Sequence, residues 1–143
     1  MVFNKLHRPC LWSSGNSYCP GVVEYFGGDL SILDYPMHGK KIKISGQHGA
    51  LFTGLPQDGF QVGVYHSLYA NKQTFPDVLN ILAESEQGIV MAIEHKTLPI
   101  WAVQFHPESI LSLGEKSGFK IVENVVQFLT TKVNATMFID TKE

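Results

Sequence analysis

The sequence predicts a globular domain that mixes several short β-strands with helix, in the α+β or α/β class. Its 143 residues are 44% hydrophobic and only 17% charged, which is the size and composition of one ordinary folded domain. Short strand-like segments occupy most of the middle of the chain, and one clear helical pattern lies near its end. These patterns alone do not decide between the two classes.

The predicted elements follow an opening stretch, residues 1–20, that shows turn chemistry and no regular pattern. We expect this stretch to be an irregular leader. A short helix is predicted at Val22–Phe26, ended by Gly27 and Gly28. The strands that follow are predicted from alternating or continuous apolar runs, with a hairpin-like turn at residues 85–88: Asp29–Leu33, Lys41–Ile44, Phe60–Tyr65, Leu79–Glu84, Ile89–Glu94 and Ile100–Phe105.

The last predicted helix covers Lys116–Leu129. Its apolar residues Phe119, Val122, Val126 and Leu129 recur at helical spacing, so we expect them on one face of the helix, as an amphipathic helix carries them. Residues after 130 lack a comparable pattern and are predicted to be a loosely held tail. The chain is therefore divided into a leader (1–20), a domain (21–130) and a tail (131–143).

Composition and charge exclude several classes of function. The formal net charge is -2, and no cluster of Lys or Arg forms a stripe, which argues against a nucleic-acid partner. The apolar runs are too short to span a bilayer, and residues 1–20 lack the apolar core of a signal peptide, so we expect a cytoplasmic protein. Two cysteines are too few for a disulfide scaffold. The six histidines show no metal-ligand spacing, and we expect neither a metal nor a cofactor.

The segment that suggests chemistry is residues 103–109, at the end of the last predicted strand. Pro107 fixes its own φ and keeps His106 out of helical geometry. In extended backbone, residues two apart point to the same side, so His106 and Glu108 can face one site. A carboxylate beside an imidazole orients it and raises its basicity, an arrangement that deprotonates thiol or hydroxyl nucleophiles. The alternative is a surface His and Glu that flank a turn.

Further short motifs occur along the chain in a recognisable order: Phe26-Gly27-Gly28, Met37-His38-Gly39-Lys40, Phe52-Thr53-Gly54-Leu55-Pro56, Tyr65-His66-Ser67-Leu68, Met91-Ala92-Ile93-Glu94-His95-Lys96, Leu98-Pro99 and Gln104-Phe105-His106-Pro107-Glu108-Ser109. Over roughly residues 21–130 this set resembles the class I glutamine amidotransferases, in particular the glutaminase subunits or domains of anthranilate synthase. The resemblance implies an α/β fold: the C-terminal part of a flavodoxin-like domain, with a mixed sheet and flanking helices.

The resemblance also implies a reaction. A cysteine thiolate attacks the side-chain amide of glutamine, ammonia leaves, and water frees glutamate from the thioester. A chorismate-binding synthase subunit or domain then uses the ammonia, as in tryptophan biosynthesis. By position, His106 is the general base and Glu108 its orienter, and Tyr65, His66, Ser67 and Leu68 hold the amino-acid end of glutamine. Residues 37–40 lie on a loop that adjoins the active site or the synthase partner.

The nucleophile is the point at which this sequence departs from the family pattern. Members carry an elbow of the form Gly-x-Cys-x-Gly-x-Gln, and an ungapped comparison puts Asn16 at the position of its cysteine. Cys19 keeps a Cys-x-Gly form and is our preferred candidate, whereas Cys10 keeps only a Cys-Leu pair and is the alternative. The opposing interpretation is that both are ordinary thiols.

Two functions of different classes remain open. One is a glutaminase that supplies ammonia to anthranilate synthase or to a related aminodeoxychorismate or carbamoyl-phosphate enzyme. The other is a truncated, inactive module with a binding or structural role. In either case we expect the isolated chain to be a weak glutaminase or none. We also expect residues 100–105 to present an open apolar edge that favours self-association.

Overall fold

A computed structural model of the chain describes residues 2–4, 18–45, 49–98, 100–107, 109 and 116–127. Within these ranges, six strands form one sheet in the order β1-β6-β5-β4-β2-β3. The strands are β1 Val2–Asn4, β2 Leu30–Ser45, β3 Phe60–Ala70, β4 Leu79–Ser85, β5 Val90–His95 and β6 Ile100–Val103. Helix α1 is Tyr18–Tyr25, and helix α2 covers residues 117–127. Single turns of 3-10 helix lie at Ala50–Phe52 and Lys72–Thr74.

The combination of sheet and helices confirms the predicted α/β architecture. Each strand pairing in the described residues is antiparallel, so the mixed sheet that we expected is an antiparallel one there. The β4–β5 and β5–β6 connections are too short for the crossover that a parallel pair requires. The predicted turn at residues 85–88 is one of these connections. It is closed by hydrogen bonds from Ser85 N to Ile89 O (2.9 Å) and from Gly88 N to Ser85 O (2.9 Å).

Helix α1 ends where the glycine pair predicted it. Gly27 has φ 93, a left-handed conformation that glycine adopts without a side-chain clash. Gly27 N donates to Glu24 O (3.0 Å), and Gly28 N donates to Val23 O (2.9 Å). These are the two bonds of a Schellman motif, which pairs the last carbonyls of a helix and stops it.

Strand β2 differs from its prediction, because the two short strands expected at Asp29–Leu33 and Lys41–Ile44 are parts of one strand. It pairs with β3 along most of its length, with shifts in register between Ile32 and Met37 and between His38 and Lys40. The second shift adds one residue to β2 against β3, as a β-bulge does, and the first is a longer irregularity. Such irregularities bend a strand without ending it. Residues 37–40, expected on a loop, therefore lie within β2, where Met37 pairs with His66 and His38 pairs with Tyr65.

The two helices cover opposite faces of the sheet. We call the residues around α1 the α1 cluster and those around α2 the α2 cluster. Adjacent residues of β6 divide between them, Ala102 in the first and Val103 in the second, as the alternation of side chains along a strand requires. The α1 cluster comprises Cys19, Val23, Ala70, Leu79, Val90, Ile93 and Ala102. The α2 cluster includes Ile44, Phe52, Phe60, Val62, Val64, Met91, Val103, Phe105, Ile121 and Val125.

The described apolar residues that we expected on one face of α2 do share a face, but that face is exposed and is not the one that packs on the sheet. Phe119, Val122 and Val126 are 62%, 38% and 57% exposed, and the buried helix positions are instead Ile121, Val125 and the polar Ser117 and Asn124. Leu129 lies outside the described residues.

The orientation of α2 follows from two contacts that the helical period does not show. Asn124 Nδ2 donates to Leu51 O (3.0 Å) and to Thr53 O (2.8 Å). Gly118 lies so close to the Pro107 carbonyl that a β-carbon would collide with it. The hydrogen bonds of the Asn124 amide and the close contact between Gly118 and Pro107 thus decide which side of α2 faces the sheet. Asn124 lies on the inward side because buried carbonyls require donors.

The sheet curls until the segment after β6 reaches β3, although the two strands are not neighbours in the strand order. His106 N donates to Gly63 O at 3.0 Å, and Gln104 Nε2 donates to Leu68 O at 3.1 Å. On its other side β6 pairs with β1 through Ile100, Trp101 and Ala102. The open edge that we expected at residues 100–105 is therefore occupied over Ile100–Ala102, and this pairing gives no support to self-association through it.

Candidate functional site

His106 lies just beyond the end of β6, as the sequence predicted. Its neighbours Phe105 and Pro107 are buried, whereas His106 itself is only partly buried. The bond from His106 N to Gly63 O holds its backbone against β3. His106 is thus anchored through its backbone while part of the residue stays exposed. A general base must also come within hydrogen-bond reach of the proton that it takes.

Tyr65 is the aromatic neighbour of His106. The two rings meet edge to face, with centroids 5.2 Å apart and an interplanar angle of 85°. The Tyr65 hydroxyl and Ser109 Oγ are 3.2 Å apart and share a hydrogen bond. Tyr65 therefore contacts the 104–109 segment twice, at the His106 ring and at the Ser109 hydroxyl. The ring contact restricts the rotation of the His106 side chain.

Leu68 O is a shared acceptor at the centre of the site. It accepts from Gln104 Nε2 at 3.1 Å and lies 3.0 Å from His66 Nδ1. A carbonyl oxygen can only accept, so His66 Nδ1 must carry the proton and Nε2 of the neutral ring has a bare lone pair. Within the described part of the chain, His66 Nε2 and Gln104 Oε1 are buried and have no hydrogen-bond partner.

His66 is held in its neutral form. Burial lowers the pKa of His66 below its ordinary value of 6.5, the Leu68 hydrogen bond opposes this, and the charges of His106 and His38 lower it further. Burial dominates because the charged imidazolium loses its hydration there. At neutral pH His66 is therefore an uncharged hydrogen-bonding group.

The relation of His106 to Glu108 stays a prediction, because Glu108 lies outside the described residues. Ser109 N donates to His106 O at 3.0 Å, an i to i+3 bond that is typical of a β-turn with proline in its second position.

Cys19 lies in the first turn of α1, fully buried in the α1 cluster. Burial raises the pKa of the Cys19 thiol to about 12. A nucleophilic cysteine must be a thiolate that solvent and substrate can reach, so the structure gives Cys19 the properties of a structural thiol. This opposes our preference for Cys19 as nucleophile. The alternative, Cys10, lies outside the described residues.

The remaining histidines that the structure describes have other surroundings. His95 Nδ1 accepts from Leu98 N at 2.9 Å and from Thr97 N at 3.1 Å, and its ring packs on Phe26 with centroids 4.9 Å apart. His38 is exposed on β2. Among the described residues no group of three or more His, Cys, Asp or Glu side chains could hold a metal ion. No helix in the described ranges is long and apolar enough to cross a membrane.

Three residues of the site were not singled out by the sequence reasoning. Gln104 belongs to the motif at residues 104–109, yet its role as a tie to Leu68 depends on a contact 36 positions away in sequence. Gly63 contributes through its carbonyl, and Gly118 through its lack of a side chain. Gln104 could have been singled out from the sequence, because it ends an apolar strand two residues before His106 and a buried amide requires hydrogen-bond partners.

Comparison with known proteins gives one consistent family. Residues 21–124 match the family model described as glutamine amidotransferase class-I. The chain is 50% identical over 109 residues to an anthranilate synthase of Azospirillum brasilense, covering 76% of this chain and 15% of that protein. It is 42% identical over 106 residues to anthranilate synthase component 2 of the same organism, covering 74% and 50%.

A solved structure supports the same placement. It is the crystal structure of a GMP synthase protein from Thermoplasma acidophilum, with a TM-score of 0.72 and 28% sequence identity, matched over 83% of this chain and 57% of its own. The chain thus spans about half the length of the component 2 relative. The predicted fold of a class I glutamine amidotransferase domain is confirmed by these matches.

Proposed function

Because the chain belongs to the class I glutamine amidotransferase family, we propose that it carries the histidine side of a glutaminase that supplies ammonia to a chorismate-using synthase. One observation carries this proposal. The curled sheet brings His106 against β3, and within β3 the Tyr65–Leu68 segment lies beside it through the Tyr65 ring and the Gln104–Leu68 bond. A candidate base and a candidate substrate-binding segment thus meet at one place.

The proposed roles follow from the chemistry that these groups can perform. His106 takes the proton of a thiol, and the thiolate attacks the side-chain amide carbon of glutamine. The tetrahedral intermediate collapses, the carbon–nitrogen bond breaks, and the departing nitrogen takes the proton back from His106 and leaves as ammonia. Water, deprotonated by His106, then cleaves the thioester and releases glutamate and the thiol. Glu108 orients His106 in this scheme.

Substrate binding is assigned to the β3 segment of Tyr65, His66, Ser67 and Leu68. Ser67 is partly buried, and its hydroxyl and the local backbone can bind the charged amino-acid end of glutamine. His66 is neutral because burial lowers its pKa, so it does not repel the α-ammonium group. This favours an amino acid over an uncharged amide as the ligand of the segment.

A second candidate is supported by the surroundings of Cys19. Its thiol is buried, and burial raises its pKa to about 12, so the described residues offer no ready nucleophile to His106. In that case the 143-residue chain is an inactive glutaminase-like module with a binding or structural role. The choice between the two candidates depends on Cys10 or on a nucleophile supplied by another polypeptide.

The partner in the proposed function is a chorismate-binding synthase subunit or domain. Support comes from the relatives named anthranilate synthase and anthranilate synthase component 2. Residues 37–40 are a candidate contact, because His38, Gly39 and Lys40 are exposed within the bulged part of β2. An exposed strand segment next to the site could adjoin both the substrate and a partner.

The test is ammonia release from glutamine by the purified chain, alone and with a chorismate-binding anthranilate synthase subunit. We expect weak or no release from the chain alone, because the described residues offer His106 no reachable thiolate and burial raises the pKa of Cys19 to about 12. Cys10→Ser, Cys19→Ser and His106→Ala variants run in parallel. Robust turnover by the chain alone that His106→Ala leaves intact would refute the role of His106. Turnover abolished only by Cys10→Ser would identify the nucleophile and exclude the inactive module.

A further inference from the structure

Two bare acceptor atoms lie buried beside His106. The His66 side chain belongs to a residue only 4% exposed, and the Gln104 side chain to a residue 1% exposed. Both donate to Leu68 O, so they form one cluster on a common carbonyl. His66 Nε2 and Gln104 Oε1, the far atoms of the two groups, have no partner in the described part of the chain.

The shared carbonyl decides which atoms are left bare. If the Gln104 amide were flipped, its Oε1 would face Leu68 O and two acceptors would repel each other. If the His66 proton moved to Nε2, Nδ1 would face the same oxygen without a hydrogen. Each alternative gives up a bond to Leu68, so the arrangement leaves His66 Nε2 and Gln104 Oε1 as two acceptors without a partner.

A buried acceptor without a partner destabilises the fold, so two such atoms on side chains bound to one carbonyl require an explanation. Their occupant must donate hydrogen bonds, since neither atom can. It must be small, because the two residues are almost wholly buried. It must also be neutral, because an unpaired charge is far more costly to bury than a polar group.

We propose that His66 Nε2 and Gln104 Oε1 form a buried binding site for a small neutral hydrogen-bond donor, water or ammonia. The site itself is argued from the geometry alone, and only its occupation by ammonia rests on the proposed glutaminase function. In that function the ammonia is released at His106, and the tie from Gln104 to Leu68 places this acceptor pair next to the same segment of β3.

The experiment measures the side-chain nitrogens of His66 by NMR in the ¹⁵N-labelled 143-residue chain. Ammonium chloride is added at alkaline pH, where part of it is present as ammonia, and potassium chloride provides the control for ionic strength. A saturable shift of the His66 Nε2 resonance with the ammonium salt alone would assign the site to ammonia. A long-lived water detected through its nuclear Overhauser effect to the His66 ring, without any ammonium response, would assign it to water.

If the folded chain shows neither of these two signals, the proposal is overturned. Gln104→Met removes Oε1 at similar side-chain volume and should abolish the signal. A folded Gln104→Met variant that keeps the full signal would also overturn the proposed site. Asn124→Leu is the matched control, because it removes a buried amide that binds Leu51 and Thr53 instead, and it should keep the signal. If Gln104→Met does not fold, the two measurements on the unsubstituted chain decide the question. Because no glutamine turnover is measured, the result is independent of the glutaminase test.

Discussion

The surroundings of His106 and of Cys19 show two ways of placing a reactive side chain in one fold. His106 is held by its backbone bond to Gly63 and by the edge of the Tyr65 ring, and it remains only partly buried. Cys19 is fully buried among alkyl side chains of the α1 cluster. Apolar surroundings hold the Cys19 thiol in its protonated form, whereas part of His106 stays exposed.

The two regions also depend on different contacts. The His106 region is assembled by directional bonds between residues far apart in sequence, such as Gln104 to Leu68. The Cys19 region needs only that apolar volume be filled. We therefore expect the first to be sensitive to small displacements of the backbone and the second to be sensitive to polarity, and the following predictions test that difference.

The largest effect is expected at Gly118, where a β-carbon would collide with the Pro107 carbonyl beside His106. Gly118→Ala should lower the free energy of unfolding by about 2 kcal/mol or more, since overpacking typically costs about 1–3 kcal/mol. The control is Gly21→Ala in α1, whose β-carbon would meet nothing within 4 Å. Urea denaturation of the two variants should separate them clearly, and equal stabilities would show that α2 can move away from Pro107 without cost.

The next effect concerns the apolar character of the Cys19 pocket. Cys19→Ser should cost about 2 kcal/mol, because burying a hydroxyl without a partner typically costs about 1–3 kcal/mol, whereas Cys19→Ala should cost less. Both are measured by thermal or urea unfolding. A serine variant at least as stable as the alanine variant would mean that the pocket provides a polar partner.

Alkylation sharpens the same comparison. In a Cys10→Ser background, Cys19 should react with iodoacetamide only slowly in the native chain, and rapidly once the chain is unfolded, because burial raises its pKa to about 12. Fast alkylation of the native chain at neutral pH would contradict the buried position of the thiol and restore Cys19 as a candidate nucleophile.

A pH-dependent effect is expected from His66. Burial lowers its pKa in the folded chain below the ordinary 6.5, so the unfolded chain binds more protons between the two values. The stabilising contribution of neutral His66 is therefore complete above about pH 6.5 and is lost as the pH falls through the lower, folded pKa. Unfolding measured from pH 7.5 downwards should show this loss.

His66→Gln should flatten that pH dependence, because it removes the titrating group. His38→Gln, on the exposed part of β2, is the control and should keep most of it, since burial is the largest cause of the His66 shift. A His66→Gln variant with an unchanged pH dependence would assign the effect to another group.

The smallest effect is expected for Tyr65→Phe, which removes the hydrogen bond to Ser109 and keeps the ring beside His106. The loss should be about 1 kcal/mol, in the range of a single intramolecular hydrogen bond. Tyr25→Phe, at a position 83% exposed, should change nothing measurable. Equal losses in the two variants would show that the Tyr65–Ser109 bond does not hold the 104–109 segment.

Local signals in the sequence were sufficient for the family, for the existence of most elements and for some of their boundaries. The stop of α1 at Gly27 and the turn at residues 85–88 depend on neighbouring residues only, so short-range chemistry predicts them. The motif at residues 104–109 was placed correctly at the end of β6. Its histidine, Pro107 and the preceding apolar strand are adjacent in sequence, and no distant contact is needed to recognise them.

Tertiary contacts decided the rest. The sequence did not show which face of α2 is buried, because Asn124 and Gly118 make their contacts with residues that are distant in sequence. The helical period of apolar residues contains no information about such contacts. The continuity of β2 depends on its pairing with β3. The approach of Gln104 and His106 to β3, and the burial of Cys19, both arise from curling of the whole sheet. The sequence pattern reports only on residues that are near one another along the chain. Curling of the sheet brings β3 and the segment after β6 together, although β3 and β6 are not neighbours in the sheet.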